Sequence, residues 1–272
     1  MAELPEITKY ARQMRETLKG KTIKTIAILQ EKCVNIPVDE FQIRTSGAKV
    51  KDVYHRGKWI ITSLDNGEHI LLSLGMGADI LYFENEDKEP DKYQIKVLFT
   101  DSTGYTARFW WFGHFLLVTR FELDTESKVK DIAIDPFDEG FTLDYFEALL
   151  KGNKTQIKSF LMNQKNVSGI GNMYMHDILF QARLHPKKKI SDMNEDDVKR
   201  LYNSMMEILN RSRDKGSCNY EMDFFGQEGG FGMKDLLIGY HENEPCPVCG
   251  DSIVTIKAGS SASYMCPSCQ KI

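Results

Sequence analysis

Asn163-Gln-Lys-Asn-Val-Ser-Gly-Ile-Gly-Asn172 is the stretch from which the organisation of this 272-residue chain is read. Gly169 and Gly171 allow a tight turn, and apolar residues recur at helical spacing on both sides of it. The upstream pattern covers Lys154–Met162 and the downstream one Met173–Gln181. A helix opening near Asn172 presents backbone N–H groups that attract phosphate, and the Asn172 amide adds a donor. The surrounding charge has the matching sign: residues 151–190 hold eight basic residues against one acid, Asp177. A charge run alone is also how a solvated helical surface is written. Further helical patterns, Leu143–Leu150 and Val198–Arg211, complete a helical middle.

Upstream of this region the periodicity changes. Ile7, Tyr10, Ala11, Met14 and Leu18 recur at helical spacing until Gly20, with Pro5 suited to a first turn. From Lys21 to Arg120 short strand-like runs take over: Lys58–Leu64, His69–Leu74, Ile80–Phe83, Gln94–Thr100 and Tyr105–Phe112. Spacings this short suit antiparallel strands in a sandwich or barrel. Residues 121–147 carry nine acids against two lysines, and the acidic stretch up to Gly140 reads as a linker. The expected fold class is α+β: an N-terminal β-sandwich with a leading helix in residues 1–125, an acidic linker in 126–140, a helical domain in 141–223, and a Gly- and Phe-containing loop followed by a cysteine hairpin in 224–272.

Four of the six cysteines form the hairpin. Cys246-Pro-Val-Cys249 and Cys266-Pro-Ser-Cys269 are separated by sixteen residues. A Cys-x-x-Cys knuckle supplies two thiolates from one turn, and two knuckles make the tetrahedron that zinc favours. With four cysteine ligands no coordination position stays open, so the expected zinc ion is structural. Cys33 and Cys218 stand apart and read as buried thiols.

Composition bounds the rest. Hydrophobic residues at 42% and charged residues at 27% suit a globular protein. No apolar run approaches the roughly 20 residues of a membrane span, and the start is not a secretory signal, so a cytoplasmic location is expected, at the nucleoid in a bacterium. The net charge of −4 runs against the basic balance of nucleic-acid proteins, and only the 151–190 segment restores it locally.

Three segments together resemble the formamidopyrimidine-DNA glycosylase and endonuclease VIII family. Met1-Ala2-Glu3-Leu4-Pro5-Glu6 matches its MPELPE opening except at Ala2. Asn163–Asn172, continuing to Pro186, is similar to its helix–two-turn–helix. Pro245–Gly250 and Cys266–Gln270 are similar to its zinc finger. The resemblance implies a DNA glycosylase with abasic-site lyase activity, a monomer working on damaged or abasic DNA held in a cleft between two lobes. It implies a nucleophile at the mature N-terminus, here the Ala2 amine once Met1 is removed. An α-amine titrates near pH 8, well below a lysine, so a neutral fraction exists at pH 7 and can form a Schiff base. Glu3 matches the carboxylate that shuttles protons, with Glu6 in support.

The resemblance also implies DNA contacts at Lys58, Asn172 and Lys158, with Lys165 beside them. It implies a wedge at Met76 and a gap-filling pair where the family carries Arg and Phe; here Trp110 or Trp111 replaces the arginine and Phe112 is kept. An indole stacks on any base but does not read base edges as arginine does, so weak opposite-base discrimination is expected. Ser261 occupies the hairpin-tip position of the family's phosphate-binding arginine, and the Gly229-Gly230-Phe231 loop is a candidate cover for a flipped base. Ala2, Ser261 and the acidic balance also fit two other readings. One is a catalytically impaired protein that keeps the family cleft and binds damaged or structured nucleic acid; the other is a protein-interaction role for the finger and linker.

Overall fold

A computed structural model describes residues 2–111, 113–259 and 261–272. The chain forms two compact units: residues 1–131 with 216–230, and residues 132–215 with 231–272. This division differs from the four consecutive segments expected above. The segment 216–230 leaves its sequence neighbours because its bonding partners lie on the first helix.

In the first unit, α1 (Leu4–Leu18) opens at Glu3, whose N–H is accepted by the Glu6 carboxylate at 3.0 Å. Its buried stripe is the one read from periodicity: Ile7, Tyr10, Ala11, Met14 and Leu18. Eight strands follow: β1 (Ile23–Ile28), β2 (Val50–Arg56), β3 (Trp59–Leu64), β4 (Glu68–Ser73), β5 (Asp79–Phe83), β6 (Ile95–Phe99), β7 (Gly104–Arg108) and β8 (His114–Thr119). They make two antiparallel sheets, ordered β1-β6-β7-β5 and β2-β3-β4-β8. Ile26, Ile80, Val97 and Tyr105 from one sheet and Val53, Ile60, Leu72 and Phe115 from the other belong to a single core, with Met14 of α1 and Phe224 of the returning segment. Short α2 (Val38–Thr45) and α3 (Arg120–Thr125) were not expected. Thr119 accepts from the Glu122 N–H at 3.3 Å and the Glu122 carboxylate accepts from the Thr119 N–H at 2.7 Å. The acidic stretch therefore begins as a capped helix.

The returning segment is bound to α1 at several points. Cys218 N–H donates to the Glu6 carboxylate at 3.1 Å and Ser217 Oγ to the Pro5 carbonyl at 2.9 Å. Asp223 accepts from Lys9 at 2.8 Å and Gln13 at 2.9 Å, and the Tyr10 hydroxyl donates to the Met222 carbonyl. Cys33 and Cys218 are buried thiols, as expected.

The second unit holds α4 (Leu143–Leu150), α5 (Ile157–Met162), α6 (Asn172–Gln181) and α7 (Glu195–Asp214), then the hairpin of β9 (Val254–Ala258) and β10 (Ser261–Met265). The α5 pattern was read three residues long at its start. Thr155 and Gln156 instead lie outside the helix, where Asn153 Oδ1 accepts from the Thr155 N–H and hydroxyl. Asp177 is fully buried on α6 and accepts from the N–H groups of Leu237, Ile238 and Gly239, at 2.6, 3.0 and 3.0 Å. Those bonds offset the cost of burying a carboxylate, although burial still raises its pKa. No helix among the described residues is long and apolar enough to cross a membrane.

Candidate active site and nucleic-acid interface

Ala2 and Glu3 precede the first turn of α1 and are both 3% exposed. The Ala2 methyl belongs to the sandwich core, so the residue carrying the candidate amine is anchored. Glu3 takes an extended backbone, φ −113° and ψ −169°, which places a carboxylate at a helix N-terminus, where the dipole favours negative charge. Glu6 is equally buried and spends its two oxygens on the N–H groups of Glu3 and Cys218. Met1 lies outside the described residues.

Glu221, on the returning segment, is a third carboxyl of this region that sequence reasoning missed. Burial raises its pKa, and the negative charges of Glu3 and Asp79 raise it further. More than two hundred residues separate it from Glu3, and no local pattern signals such proximity.

Lys58 sits with Gly57 in the two-residue turn joining β2 to β3. Arg56 pairs with Trp59, and Gly57 has φ +55°. Glycine at the first central position is what such hairpin turns favour. Lys58 is half-buried and forms no ion pair among the described residues.

Met76 is exposed to 47%, so it is not a core methionine. Its N–H donates to the Trp111 carbonyl at 2.9 Å, and its carbonyl accepts from the Trp110 N–H at 3.1 Å. Gly75 and Gly77 flank it at φ +58° and +62°. A Cβ at Gly77 would lie 3.1 Å from the Trp110 indole, so the ring lies against bare backbone. Trp110 and Trp111 are 70% and 65% exposed. Three large apolar side chains thus project from two loops, β4–β5 and β7–β8, pinned to each other. The strand expected to reach Phe112 ends at Arg108, since Phe109 turns into the core and its N–H is taken by Gln94 at 3.0 Å. Phe112 itself lies outside the described residues.

In the second unit, Gln164 shapes the turn before Asn172. Its Oε1 accepts from the Gly169 N–H at 2.9 Å and its Nε2 donates to the Ile170 carbonyl at 3.0 Å. Gly169 has φ +83°. Gly171 caps α6 and Asn172 is its first residue. Asn172 meets Ser261 across the hairpin at 3.1 Å and His176 one turn later at 3.2 Å.

Lys158, expected to support a DNA contact at Asn172, is 1% exposed. Its ammonium donates to Ser261 Oγ at 3.0 Å, the Ala262 carbonyl at 2.7 Å and Ser263 Oγ at 2.6 Å. An isolated ammonium is costly to bury, and three oxygens of β10 account for all its donors. Phe231, offered above as part of a cover for a flipped base, is fully buried, with Tyr174 5.8 Å and the Arg211 guanidinium 5.6 Å from its ring centre.

The four hairpin cysteines converge with their sulfurs within 4.8 Å of one another. Cys246–Cys269 and Cys249–Cys266 are 3.8 and 3.4 Å apart. A tetrahedron with Zn–S near 2.3 Å has edges of about 3.8 Å, so the donor set fits zinc; a disulfide needs about 2.05 Å. Gln270, fully buried, accepts from the Cys266 N–H at 3.0 Å and donates to the Leu184 carbonyl at 2.9 Å, tying the second knuckle to the residues after α6.

Residues 1–110 match the family profile described as formamidopyrimidine-DNA glycosylase N-terminal domain. Residues 132–221 match the formamidopyrimidine-DNA glycosylase H2TH domain, and residues 243–272 match a zinc finger found in FPG and IleRS. The chain is 30% identical to a formamidopyrimidine-DNA glycosylase of Pelotomaculum thermopropionicum, with all of both chains covered. It is 31% identical to one of Streptococcus pyogenes, covering 100% of this chain and 99% of that one. Among solved structures, the MutM (Fpg) protein of Thermus thermophilus superposes with a TM-score of 0.85 at 24% identity, over 98% of both chains. Lactococcus lactis Fpg in complex with abasic-site DNA superposes with a TM-score of 0.87 at 24% identity, over all of both chains.

Proposed function

Because the chain belongs to the formamidopyrimidine-DNA glycosylase family, we propose that it excises damaged bases from DNA and cleaves the abasic strand, with Ala2 as nucleophile and Glu3 as its acid–base partner. The observation that carries this reading is the family match along the whole chain, with Glu3 retained and buried beside Ala2 at the start of α1. In the reaction the neutral Ala2 amine attacks C1′ of the damaged nucleotide. The N–C1′ bond forms as the glycosidic bond breaks, and the base departs with a proton. Opening of the sugar ring leaves an iminium. Removal of a C2′ proton then expels the 3′ phosphate by β-elimination, and water releases the amine. Glu3 moves protons between the amine, the sugar oxygen and solvent. Alanine in place of the family's proline retains this chemistry, since a primary amine forms the same imine.

Lys58 and Asn172 hold backbone phosphates, which position DNA without reading sequence. Met76, Trp110 and Trp111 fill the space left when a nucleotide is flipped. The zinc ion organises the hairpin and takes no part in the reaction, since its four thiolates leave no open position. The protein acts in the cytoplasm, at the nucleoid in a bacterium.

Borohydride reduction of the protein with an abasic-site oligonucleotide, followed by mass spectrometry, tests the reading. A covalent adduct on the Ala2 nitrogen, lost in Glu3→Gln, is expected. A sample with a free Ala2 amine that gives no adduct overturns the lyase chemistry and leaves a binding protein.

A further inference from the structure

The departing base needs a proton, and Glu3 already serves the amine and the sugar oxygen. Glu3 stands at a helix N-terminus, where the dipole favours negative charge, so it is suited to take up the proton that the amine loses. A second carboxyl is brought to the same region by the returning segment. Ser217 and Cys218 are tied to Pro5 and Glu6 in the first turn of α1. Met222 and Asp223 are tied to Tyr10, Lys9 and Gln13 further along it. Glu221 lies between these two sets of bonds and is therefore held against the N-terminal half of α1, the helix that Ala2 and Glu3 precede.

On one side Glu221 shares with Glu6, Tyr10 and Cys218 the lining of a cavity of about 10 Å³, which holds one water at most. Its neighbours Tyr220 and Met222 are 50% and 42% exposed, and Glu221 itself is half-buried, so the residue is within reach of a ligand. Its surroundings favour the neutral acid. Burial raises its pKa, and the negative charges of Glu3 and Asp79 raise it further. Lys9 of α1 is committed to Asp223 at 2.8 Å and to the Gly216 carbonyl at 3.1 Å, and Arg108 of β7 is committed to Asp79. Neighbouring carboxyls whose environments drive them to opposite protonation states are how an acid and a base share one site.

We propose that Glu221 is the general acid of base excision, giving its carboxyl proton to the departing base while Glu3 takes the proton that the Ala2 amine loses. The base nitrogen keeps the electron pair of the broken glycosidic bond and receives that proton. Glu221 is left as a carboxylate and regains a proton from water before the next turnover. Neither removal of the C2′ proton nor loss of the 3′ phosphate involves it. The inference rests on the glycosylase reading above and deepens it, since the acid of the first step is a different residue from the one that serves the second.

Two single-turnover assays on the full-length protein test it. One follows base release from duplexes carrying a formamidopyrimidine, an oxidised purine or an oxidised pyrimidine. The other follows strand cleavage of a duplex with a preformed abasic site. Glu221→Gln keeps the size of the side chain and removes its proton. It should slow base release about a hundredfold, the lower end of what a positioned acid contributes, and leave abasic-site cleavage within about twofold. Glu221→Asp should recover part of the base release, whereas Glu3→Gln should slow both reactions. In the wild type the ratio of base release to abasic-site cleavage should fall as pH rises and the acid form is lost, and Glu221→Gln should abolish that fall. Unchanged base release in Glu221→Gln overturns the proposal. So does an equal loss in both assays, because a residue that only supports α1 would slow both. If melting shows that Glu221→Gln does not fold, a pH-independent ratio in the wild type overturns the proposal by itself. Wild-type protein that releases none of these bases defeats the glycosylase reading and this inference with it, whereas wild-type release that Glu221→Gln leaves intact defeats this inference alone.

Discussion

Met76, Trp110 and Trp111 show what a single exposed side chain can contribute. Their backbones are mutually hydrogen-bonded, so their side chains project without a loop having to be ordered on binding. Base–aromatic stacking is worth about 1–3 kcal/mol per base. Trp111→Ala is therefore expected to weaken binding to lesion duplexes about tenfold, while unfolding free energy moves by no more than about 0.5 kcal/mol, as for other exposed positions. Binding titrations against duplexes with each of the four bases opposite the lesion should agree within a few-fold, because an indole has no bidentate edge. A strong preference for one opposite base would contradict this reading. At this scale the sequence was uneven evidence. The turn before Asn172 was legible from Gly169 and Gly171, whereas Met76 was singled out only by the family resemblance. The burial of Lys158 was not legible, because it depends on Ser261, Ala262 and Ser263, more than one hundred residues away.

Individual elements carry their own pH dependence, and α6 is the clearest case. His176 stays neutral in the fold, with its pKa lowered by burial to about 3 from 6.5. The unfolded chain takes up a proton below pH 6.5 that the folded chain refuses. This contribution to stability is full above pH 6.5 and is lost as pH falls toward 3. Between pH 7 and pH 5 the loss is about 2 kcal/mol. Chemical denaturation at the two pH values should show it, and His176→Gln should remove that part of the difference; an unaltered difference in the variant would refute the assignment. Elements were more legible than single residues. α1 and α4 follow helical periodicity, β3 and β4 are short continuous buried runs bounded by turn residues, and the cysteine hairpin is marked by its knuckle spacing. By contrast β2, Val-Lys-Asp-Val-Tyr-His-Arg, has a mostly half-exposed pattern and acquires its identity by pairing with β3. Helix α3 hid in an acidic stretch because its evidence is a capping exchange, Thr119 with Glu122, rather than an apolar stripe.

For the whole molecule, the division into two units is what local sequence reading could not supply. The segment 216–230 lies next to unit-two residues in the chain and next to α1 in space. Phe224 completes the sandwich core, and Asp223 and Cys218 complete the polar partners of α1. A fragment of residues 1–131 is therefore expected to lack a cooperative melting transition. Joining residue 131 to residues 216–230 through a short flexible linker should restore one. Calorimetry on both proteins checks this, and a cooperative 1–131 fragment would show that the returning segment is dispensable.

The same chain path has a consequence in time. A ribosome adds roughly 5–20 residues per second, so the strands of the sandwich emerge seconds before the segment that finishes it. During that interval Glu6, Lys9, Tyr10 and Gln13 have left the ribosome without the partners that segment supplies in the finished protein. The nascent sandwich is thus a natural client for chaperones, and slowing translation across 132–215 would lengthen its exposure rather than help it fold.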